Sequence, residues 1–497
     1  MHDLNAVIIG SGVGGLATAI RLAVQGYKVT VFEKNTYVGG KVAAFEQDGY
    51  SFDSGPSLFT QPSNIEELFE LANVPIHNAF KWQPLDISCK YFYQNGKSLP
   101  AYTNSGQFSE AVKEQLGEDP TAVKHYLAQS KKMYEHIGEV FLNNSLHKRK
   151  TWLHKRVVRA IGTVRLKYLF NTLHEFNNRQ FKSPEAVQLF NRFATYNGSN
   201  PYRSPAMLSM VPHLELNEGA FYPQGGMISI ANALYNLAKE KGITFYFESP
   251  VQRIIHHEGT VRGVVVNNKN IPADIVVSNM DVYFTYKDLL NDHNGAKKLL
   301  KQERSSSAVI FYWGIKREFK QLELHNIFFS KDYRKEFDSI FKFKQPATDP
   351  TIYINITSKM ENSHAPSGHE NWFVMVNAPA NTGQNWSSIK ERLRTTIITK
   401  LSEMLGEDIA ELIETEQSAD PVSLEEQTGS YMGSLYGTSS NSKMAAFFRH
   451  PNFSSTISGL YFCGGSVHPG GGIPLCFKSA KIVSDLVQQD RKHHRDH

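Results

Sequence analysis

The sequence predicts an α/β fold built on a Rossmann-type unit that two long insertions interrupt. Three stretches of the 497-residue chain predict it. The first 33 residues give a strand, a glycine turn, a helix, a strand and an acid, and residues 222–290 return to strands and a helix. A second strand, glycine turn and helix close the chain after Leu460. Apolar strands alternating with amphipathic helices are typical of a parallel sheet covered by helices.

The first glycine turn has the spacing of a dinucleotide-binding site. Its glycines follow the apolar residues 4–9 and precede a helical stretch; they are Gly10, Gly12, Gly14 and Gly15. Such glycines let the backbone approach a pyrophosphate, which the helix N-terminus attracts. Glu33 follows the next strand, where a carboxylate binds a ribose hydroxyl and repels the 2′-phosphate of NADP. The alternative is a glycine-rich turn in an unrelated α/β unit.

Two segments beyond Glu33 distinguish FAD from NAD. Residues 38–41 are Val-Gly-Gly-Lys, and residues 52–57 are Phe-Asp-Ser-Gly-Pro-Ser. With the first turn they resemble the two-dinucleotide-binding flavoproteins, which include amine oxidases, protoporphyrinogen oxidase and carotenoid desaturases. Lys41 stands where that group usually has arginine. Lysine keeps the positive charge for a phosphate contact but lacks the planar guanidinium that can donate two hydrogen bonds to one phosphate. The resemblance implies FAD contacts at Lys34, Gly40, Lys41, Gly55, Pro56, Ser57 and Leu58.

The C-terminal glycine motif narrows the resemblance. Residues 464–474, GGSVHPGGGIP, follow an apolar strand and precede an amphipathic helix. They resemble the carotenoid desaturase family of bacteria and fungi, and are most similar to 1-hydroxycarotenoid 3,4-desaturases and diapolycopene oxygenases. In that family the second helix points at the flavin ring and stabilises its reduced form. The resemblance also places Val251 near adenine and Asn279 and Met280 near the pyrophosphate. In the motif it assigns FAD contacts to Gly464, Gly465, Gly472, Ile473 and Pro474.

We expect interleaved domains, because no low-complexity linker separates the segments. Residues 1–75, 222–290 and 445–497 form a discontinuous FAD-binding domain. Residues 76–221 are a largely helical substrate region that associates with a membrane, and residues 291–444 are a substrate domain with a mixed sheet.

The composition is that of a globular protein with many aromatic residues. Hydrophobic residues make up 41% of the chain and aromatic residues 12%, which suits either a large apolar ligand or a large core. The 3 cysteines form neither a disulfide framework nor a metal-ligand pattern, so we expect a reducing compartment and no metal. We identify neither a signal peptide nor an apolar run of ~20 residues, which favours a cytoplasmic protein.

A basic stretch predicts contact with a membrane surface. Residues 147–167 carry 8 lysines and arginines and no acid, and apolar residues including Trp152 alternate with them partly at helical spacing. The apolar side favours lipid over nucleic acid, so we expect a protein peripheral to the cytoplasmic membrane with no nucleic-acid partner. The alternative is a solvated basic helix that packs its apolar side on the protein. The oligomeric state stays open.

The chemistry that the resemblance implies needs few catalytic side chains. In a 1-hydroxycarotenoid the hydrogen on C4 is allylic, so hydride transfer to flavin N5 leaves a cation that the polyene stabilises, and C3 then loses a proton without a strong base. Candidates for a base or an orienting group are His213, Glu215, which matches a glutamate of the family, and His468 in the C-terminal motif. A surface ion pair for Glu215 and a loop-stabilising hydrogen bond for His468 are the alternatives.

The resemblance carried by these motifs implies an FAD-dependent carotenoid desaturase that introduces the C3–C4 double bond into a 1-hydroxycarotenoid. Phytoene- or diapophytoene-type desaturation and end-group oxygenation stay open within the family. Outside it, the alternatives are a flavin amine oxidase and a flavin-free prenyl-protein chaperone of the GDP-dissociation-inhibitor kind. The C-terminal motif weighs against the first, and the glycine turns with Glu33 weigh against the second. The final electron acceptor, oxygen or a membrane quinone, also stays open.

Overall fold

One parallel sheet draws its strands from three distant parts of the chain. A computed structural model describes residues 4–152, 168, 170–442 and 449–495. In sheet order the strands are β19 (Leu460–Phe462), β13 (Ile275–Ser278), β1 (Asn5–Ile9), β2 (Lys28–Phe32) and β9 (Thr244–Tyr246). The central strand β1 is buried over most of its length, as expected of a parallel strand covered on both faces.

A second, larger sheet is mixed. In sheet order its strands are β18 (Ile413–Ala419), β14 (Ser307–Ile315), β17 (Glu370–Ala378), β16 (Ile352–Ile356), β15 (His325–Phe328), β6 (Ile87–Phe92) and β7 (Ser98–Tyr102). Its neighbours pair antiparallel except β15 and β6, which are parallel. Three small sheets complete the strands: β3 (Ala44–Gln47) with β4 (Tyr50–Asp53), β5 (Trp82–Pro84) with β8 (Phe221–Pro223), and β10 (Val251–His257), β11 (Thr260–Val266) and β12 (Lys269–Pro272).

Helices cover both sheets. In chain order they are α1 (Val13–Val24), α2 (Ser63–Leu71), α3 (Ser105–Leu116), α4 (Pro120–Met133), α5 (Glu139–Leu142), α6 (Arg149–Trp152), α7 (Leu173–Gln180), α8 (Pro184–Asn191), α9 (Pro212–Leu216), α10 (Ile228–Glu240), α11 (Val282–Phe284), α12 (His293–Leu299), α13 (Tyr333–Phe341), α14 (Trp386–Leu405), α15 (Ile409–Leu412), α16 (Pro421–Thr428) and α17 (Ile473–Arg495). Short 3-10 turns cover Ile76–Asn78, Arg192–Asn197, Ala206–Met210, Thr357–Lys359, Asn362–His364 and Tyr431–Gly433, and π turns cover Tyr134–Gly138 and Thr285–Leu289.

The two faces of the large sheet differ. On its outer face, Ile352 and Ile354 of β16 are fully buried in a core that α14 covers. On its inner face, Tyr353 of β16 and Met375 of β17 are only half-buried, although both strands lie in the interior of the sheet. Partial exposure of large side chains at such positions indicates an internal space along this face.

The fold confirms an α/β architecture with a mixed sheet. The sequence predicts a largely helical region over residues 76–221, and the structure places β5, β6 and β7 within it. Because β6 and β7 extend the sheet formed by residues 307–419, the two predicted substrate units share one sheet. The predicted domain boundaries stay predictions.

The predicted basic helix lies mostly outside the described residues. Of residues 147–167, the structure describes residues 147–152, which include α6. Within the described ranges, no helix has the length and apolarity needed to cross a membrane.

Candidate cofactor and substrate site

Helix α1 starts with its backbone N–H groups open to a ligand. It begins at Val13 directly after Gly12, whose backbone is extended (φ −63°, ψ 166°). Because a glycine occupies the N-cap position, no side-chain oxygen of that residue caps the first turn. The Gly10 N–H donates to the Phe32 carbonyl at 2.8 Å and ties the turn to the end of β2. The helix therefore offers its N–H groups and its dipole to an anionic group.

Glu33 is held beside this turn. Its carboxylate is 5% exposed and accepts hydrogen bonds from the Ser11 N–H and hydroxyl, both at 2.8 Å, and from the Asn35 N–H at 2.9 Å. A carboxylate has about four acceptor positions, so one remains for a ribose hydroxyl. Lys34 instead donates to the Glu426 carbonyl at 3.1 Å at the surface.

Asn279 lies between the two glycine turns. A Cβ added to Gly12 would lie 2.7 Å from Asn279 Nδ2. One added to Gly14 would lie 2.9 Å from Asn279 Oδ1 and 3.1 Å from the Cα of Gly464. A Cβ on Gly464 would itself lie 2.7 Å from Asn279 Oδ1. The N-terminal and C-terminal turns, more than 400 residues apart in the sequence, therefore meet around one asparagine.

The Gly-Gly-Lys turn packs against the same place. A Cβ on Gly40 would lie 3.2 Å from the Cα of Gly12, and one on Gly55 would lie 1.7 Å from the Lys41 carbonyl oxygen. Lys41 Nζ donates to the Leu435 carbonyl at 2.9 Å. Burial lowers the pKa of Lys41, although its side chain is exposed. A side chain that is accessible yet enclosed by protein lines an internal space.

The C-terminal turn opens on such a space. Helix α17 begins at Ile473, and the Cys476 N–H donates to the Gly472 carbonyl at 3.0 Å. Gly472 has a φ of 112°, and a Cβ added there would meet nothing within 4 Å. Gly465 and Pro474 on either side are half-buried.

These features fit FAD. A buried carboxylate beside the first turn, two glycine-led helix N-termini and the enclosed Lys41 cation provide the donors and acceptors that an adenosine diphosphate and a flavin ring need. Val251 at the start of β10 and Met280 after β13 are half-buried. The individual contacts predicted for these residues stay predictions.

Glu215 is buried and fully engaged. It forms an ion pair with Arg192 at 2.8 Å and accepts a hydrogen bond from Ser88 at 3.1 Å, and the hydroxyls of Tyr196 and Tyr91 also donate to it. Burial alone would raise its pKa, but the Arg192 guanidinium and the Tyr196 hydroxyl outweigh burial and lower it. A carboxylate in this state is a weak base, which favours a structural role over the predicted catalytic one.

The two candidate histidines also have protein partners. His213 Nε2 lies 3.3 Å from Glu218 Oε1. His468 Nε2 lies 3.0 Å from the carbonyl oxygens of both Phe141 and Asn144, so it carries the proton and donates. Burial lowers the pKa of His468 to about 4. The geometry thus favours the loop-stabilising alternative for His468, and catalytic roles for the three candidates stay predictions.

Sequence reasoning predicted a role for residues 55–58 but missed Tyr353 and Tyr312, which join this segment to the large sheet. The segment 54–58 is half-buried throughout, and Ser57 Oγ lies 2.7 Å from the hydroxyl oxygen of Tyr353 on β16. The Tyr312 hydroxyl donates to the Ser54 carbonyl at 3.1 Å. Because these partners are about 260 to 300 positions apart, no local pattern in the sequence identifies them.

Comparison with known proteins places this site in a family. The model of the flavin containing amine oxidoreductase family matches residues 13–488. The chain belongs to this family. Solved structures of the family's fold include a putrescine oxidase variant (14% identity, TM-score 0.62, 98% of this chain and 99% of that one) and cyclohexylamine oxidase from Brevibacterium oxydans IH-35A (14% identity, TM-score 0.62, 99% and 100%). At that identity the likeness is one of fold.

Two relatives are much more similar in sequence. A 1-hydroxycarotenoid 3,4-desaturase of Flavobacterium sp. (strain P99-3) is 49% identical over 97% of this chain and 98% of its own length. A 4,4'-diaponeurosporene oxygenase of Staphylococcus haemolyticus is 30% identical over 98% and 97%. The predicted resemblance to the carotenoid desaturase family is therefore confirmed, and so are FAD as the cofactor and a flavin oxidoreductase as the class of enzyme.

Proposed function

We propose that this flavin oxidoreductase is a carotenoid desaturase that forms the C3–C4 double bond of a 1-hydroxycarotenoid at a membrane surface. The observation that carries the proposal is the meeting of the two glycine turns around Asn279, beside a segment that bonds directly to the inner face of the large sheet. The identity of 49% to a desaturase of this kind supports the choice of substrate.

Bound FAD supplies an acceptor for two electrons as a hydride. The protein's own task is to hold the polyene end group against the site and to exclude water. Half-buried side chains provide an apolar surface for such a chain: Tyr353 and Met375 on the inner face, and Leu435, which packs against the same cluster from a loop. Because the polyene stabilises a positive charge at C4, loss of the C3 proton needs no strong base, which agrees with the ion-paired and weakly basic carboxylate of Glu215.

The test of the reaction is a comparison of substrates. Purified holoenzyme is supplied with a 1-hydroxylated acyclic carotenoid, with the same carotenoid lacking the hydroxyl, and with phytoene. We expect the 3,4-didehydro product from the first and much slower turnover of phytoene. Equal or better turnover of phytoene would contradict the proposed substrate. An oxygenated product without a new C=C bond would instead favour the activity named for the staphylococcal relatives.

The membrane proposal rests on the basic stretch 147–167 and on the solubility of the substrate. Each basic residue near anionic lipid contributes about 1 kcal/mol, so several must act together. Changing Lys148, Arg149, Lys155 and Arg156 to Glu should release the protein from anionic liposomes in a sedimentation assay. The control reverses the same number of charges elsewhere on the surface, at the exposed residues Lys297, Lys298, Lys301 and Lys320. Unchanged sedimentation of the first variant, or equal release of both, would exclude this stretch as the anchor.

A further inference from the structure

Three polar side chains form a row across the inner face of the large sheet. Ser57 Oγ lies 2.7 Å from the Tyr353 hydroxyl oxygen, and that oxygen lies 2.8 Å from His325 Nδ1. Ser57 belongs to the segment that packs on the Lys41 turn, whereas Tyr353 and His325 come from neighbouring strands of the sheet. The row therefore runs from the predicted flavin contact Ser57 into the predicted substrate domain, residues 291–444.

A fourth residue fixes the direction of these hydrogen bonds. Asn355 Nδ2 donates to the Leu324 carbonyl at 3.1 Å, which settles the orientation of its amide, and the same Nδ2 lies 3.1 Å from His325 Nδ1. A proton on Nδ1 would face the amide N–H directly, so Nδ1 must be the acceptor. The Tyr353 hydroxyl then donates to Nδ1 over the shorter distance of 2.8 Å and shares the single lone pair of that nitrogen with the Asn355 N–H, and the Ser57 hydroxyl donates to Tyr353.

Because the hydrogen bonds of the row all point toward His325, the end of the row beside the internal space can only accept hydrogen bonds. With their protons committed toward His325, Ser57 Oγ and the Tyr353 oxygen retain lone pairs and have no proton to give. Both residues are half-buried beside the internal space, whereas His325 is 2% exposed. Such an end suits a hydroxyl group, which can donate, and not an ether or a carbonyl, which can only accept.

His325 itself is held neutral at a cost in stability. Burial lowers the pKa of His325 to about 4. The negative charge of the nearby Glu215 acts to raise this pKa, and the positive charge of Arg192 acts to lower it. The Nε2 of His325, which carries the proton, has no hydrogen-bond partner among the described residues. A buried donor without a partner destabilises the fold, so stability alone does not explain a histidine here.

We propose that Ser57 and Tyr353 accept a hydrogen bond from the hydroxyl of the carotenoid end group, and that His325 is the positioning residue that keeps both oxygens acceptors. The inference rests on the proposed function and deepens it, because it assigns the choice of a hydroxylated end group to this row. His213 and Glu215, which the sequence offers as candidates for a base or an orienting group, are engaged with other residues of the protein.

The first test removes one hydroxyl of the row. Tyr353→Phe is compared with Tyr312→Phe, which removes a buried hydroxyl that bonds to the neighbouring Ser54 carbonyl. The substrates are a 1-hydroxylated acyclic carotenoid, its methyl ether and the same carotenoid without the oxygen. In Tyr353→Phe we expect the ratio of kcat/KM for the hydroxylated over the oxygen-free substrate to fall about tenfold, the loss of one hydrogen bond. Tyr312→Phe should keep the ratio of the wild type.

The second test changes the direction of the row. In His325→Phe the Tyr353 hydroxyl has lost its acceptor and is able to donate toward the space. The ratio of kcat/KM for the methyl ether over the hydroxylated substrate should then be about tenfold higher in this variant than in the wild type. A merely structural role of His325 would not change this ratio. Flavin absorbance per protein and the thermal midpoint show whether each variant is folded, and Ser57→Ala provides a second way to remove an acceptor if Tyr353→Phe or His325→Phe does not fold.

The outcomes separate this inference from the proposed function. If the wild type prefers the hydroxylated substrate and Tyr353→Phe, or in its place Ser57→Ala, keeps that preference, the row is not the hydroxyl site and the desaturase proposal stands. If the wild type converts hydroxylated and oxygen-free substrates equally, the row has no role in selection although the enzyme desaturates. If it converts neither, the proposed function fails and the inference fails with it.

Discussion

The helix after the first glycine turn begins differently from several helices of the substrate half, the predicted residues 76–221 and 291–444; the predicted FAD-binding segments form the flavin half. In the substrate half, α3 is capped by Asn104, which accepts from the N–H groups of Gly106 and Gln107, and α4 is capped by Asp119. Helices α7 and α8 of that half are also capped by side chains. Helix α1 of the flavin half follows a glycine and has no such cap, and α17 also follows a glycine. A side-chain cap satisfies the first N–H groups of α3, α4, α7 and α8, whereas the N–H groups at the start of α1, beside Glu33 and the second glycine turn, are left for a ligand to satisfy.

The two halves also place their function in different parts of the chain. The flavin half uses backbone geometry within short contiguous motifs, where each glycine makes room for another segment. The substrate half uses side chains that the fold brings together from distant positions, such as Ser88 of β6 with Glu215, and it meets the flavin half through Tyr353 and Ser57. Substitutions of the same kind should therefore have unequal consequences in the two halves.

The largest effect is expected from a single methyl group in the first turn. In Gly15→Ala the new Cβ would lie 2.2 Å from the Gly10 carbonyl oxygen, a backbone atom that cannot move aside without opening the turn. We expect loss of bound flavin, seen as a colourless protein. Gly106→Ala is the matched change in α3, where the Cβ would meet only Asn104 Oδ1 at 3.2 Å, and it should keep the flavin. A Gly15→Ala protein that retains bound flavin, and is therefore yellow, would show that the first turn can accommodate a Cβ at this position.

This difference explains what the sequence could predict. The fold of the flavin half, its cofactor and the use of both glycine turns and Glu33 in one cofactor site follow from motifs whose glycines and acid have local causes. The extension of the large sheet by β6 and β7 could not be predicted, because strand pairing over more than 200 residues leaves no local pattern. For the same reason the sequence left Glu215 open between a base or orienting group and a surface ion pair, and only the fold shows that it is buried with Arg192 beside it.

The next prediction tests that ion pair. Glu215→Gln leaves the buried Arg192 guanidinium without its counter-charge, which typically costs about 3–5 kcal/mol of unfolding free energy. Glu407→Gln removes the partner of Arg317 in an exposed pair and should cost about 1 kcal/mol or less. Denaturant unfolding of the holoenzyme measures both. Equal, small losses would mean that Glu215 is not held as the structure shows, and its catalytic role would regain support.

A buried carboxyl group of the flavin half and a buried histidine of the substrate half should change the stability of the protein in opposite directions as the pH changes. Burial raises the pKa of Asp53 to about 6, although the hydrogen bond that its carboxylate accepts from the Met227 N–H acts to lower it. Burial lowers the pKa of His325 to about 4. The Asp53 contribution to stability is present below about pH 4 and is lost as the pH rises through about 6. The His325 contribution is present above about pH 6.5 and is lost as the pH falls through about 4.

Single variants isolate each contribution. The range from pH 4 to 6.5 spans the two shifts. As the pH rises across it, the unfolding free energy of Asp53→Asn should increase by about 3 kcal/mol relative to that of the wild type. As the pH falls across it, the unfolding free energy of His325→Gln should increase by a similar amount relative to that of the wild type. Thermal midpoints across this range give the two slopes. Slopes of the same sign would show that one of the two groups is not buried as the structure has it.

The smallest effect separates a cap from a ligand site. Asn104→Ala leaves the Gly106 and Gln107 N–H groups at the start of α3 without their side-chain acceptor, which typically costs about 1 kcal/mol. Because that cap is internal to the substrate half, the loss of unfolding free energy should be the same in flavin-loaded and flavin-stripped protein, and flavin content should not change. Asn104→Asp keeps an acceptor and should restore the stability. A loss that depends on flavin would show that α3 is coupled to the cofactor site, and the distinction between self-capped and ligand-capped helices would not hold for this protein.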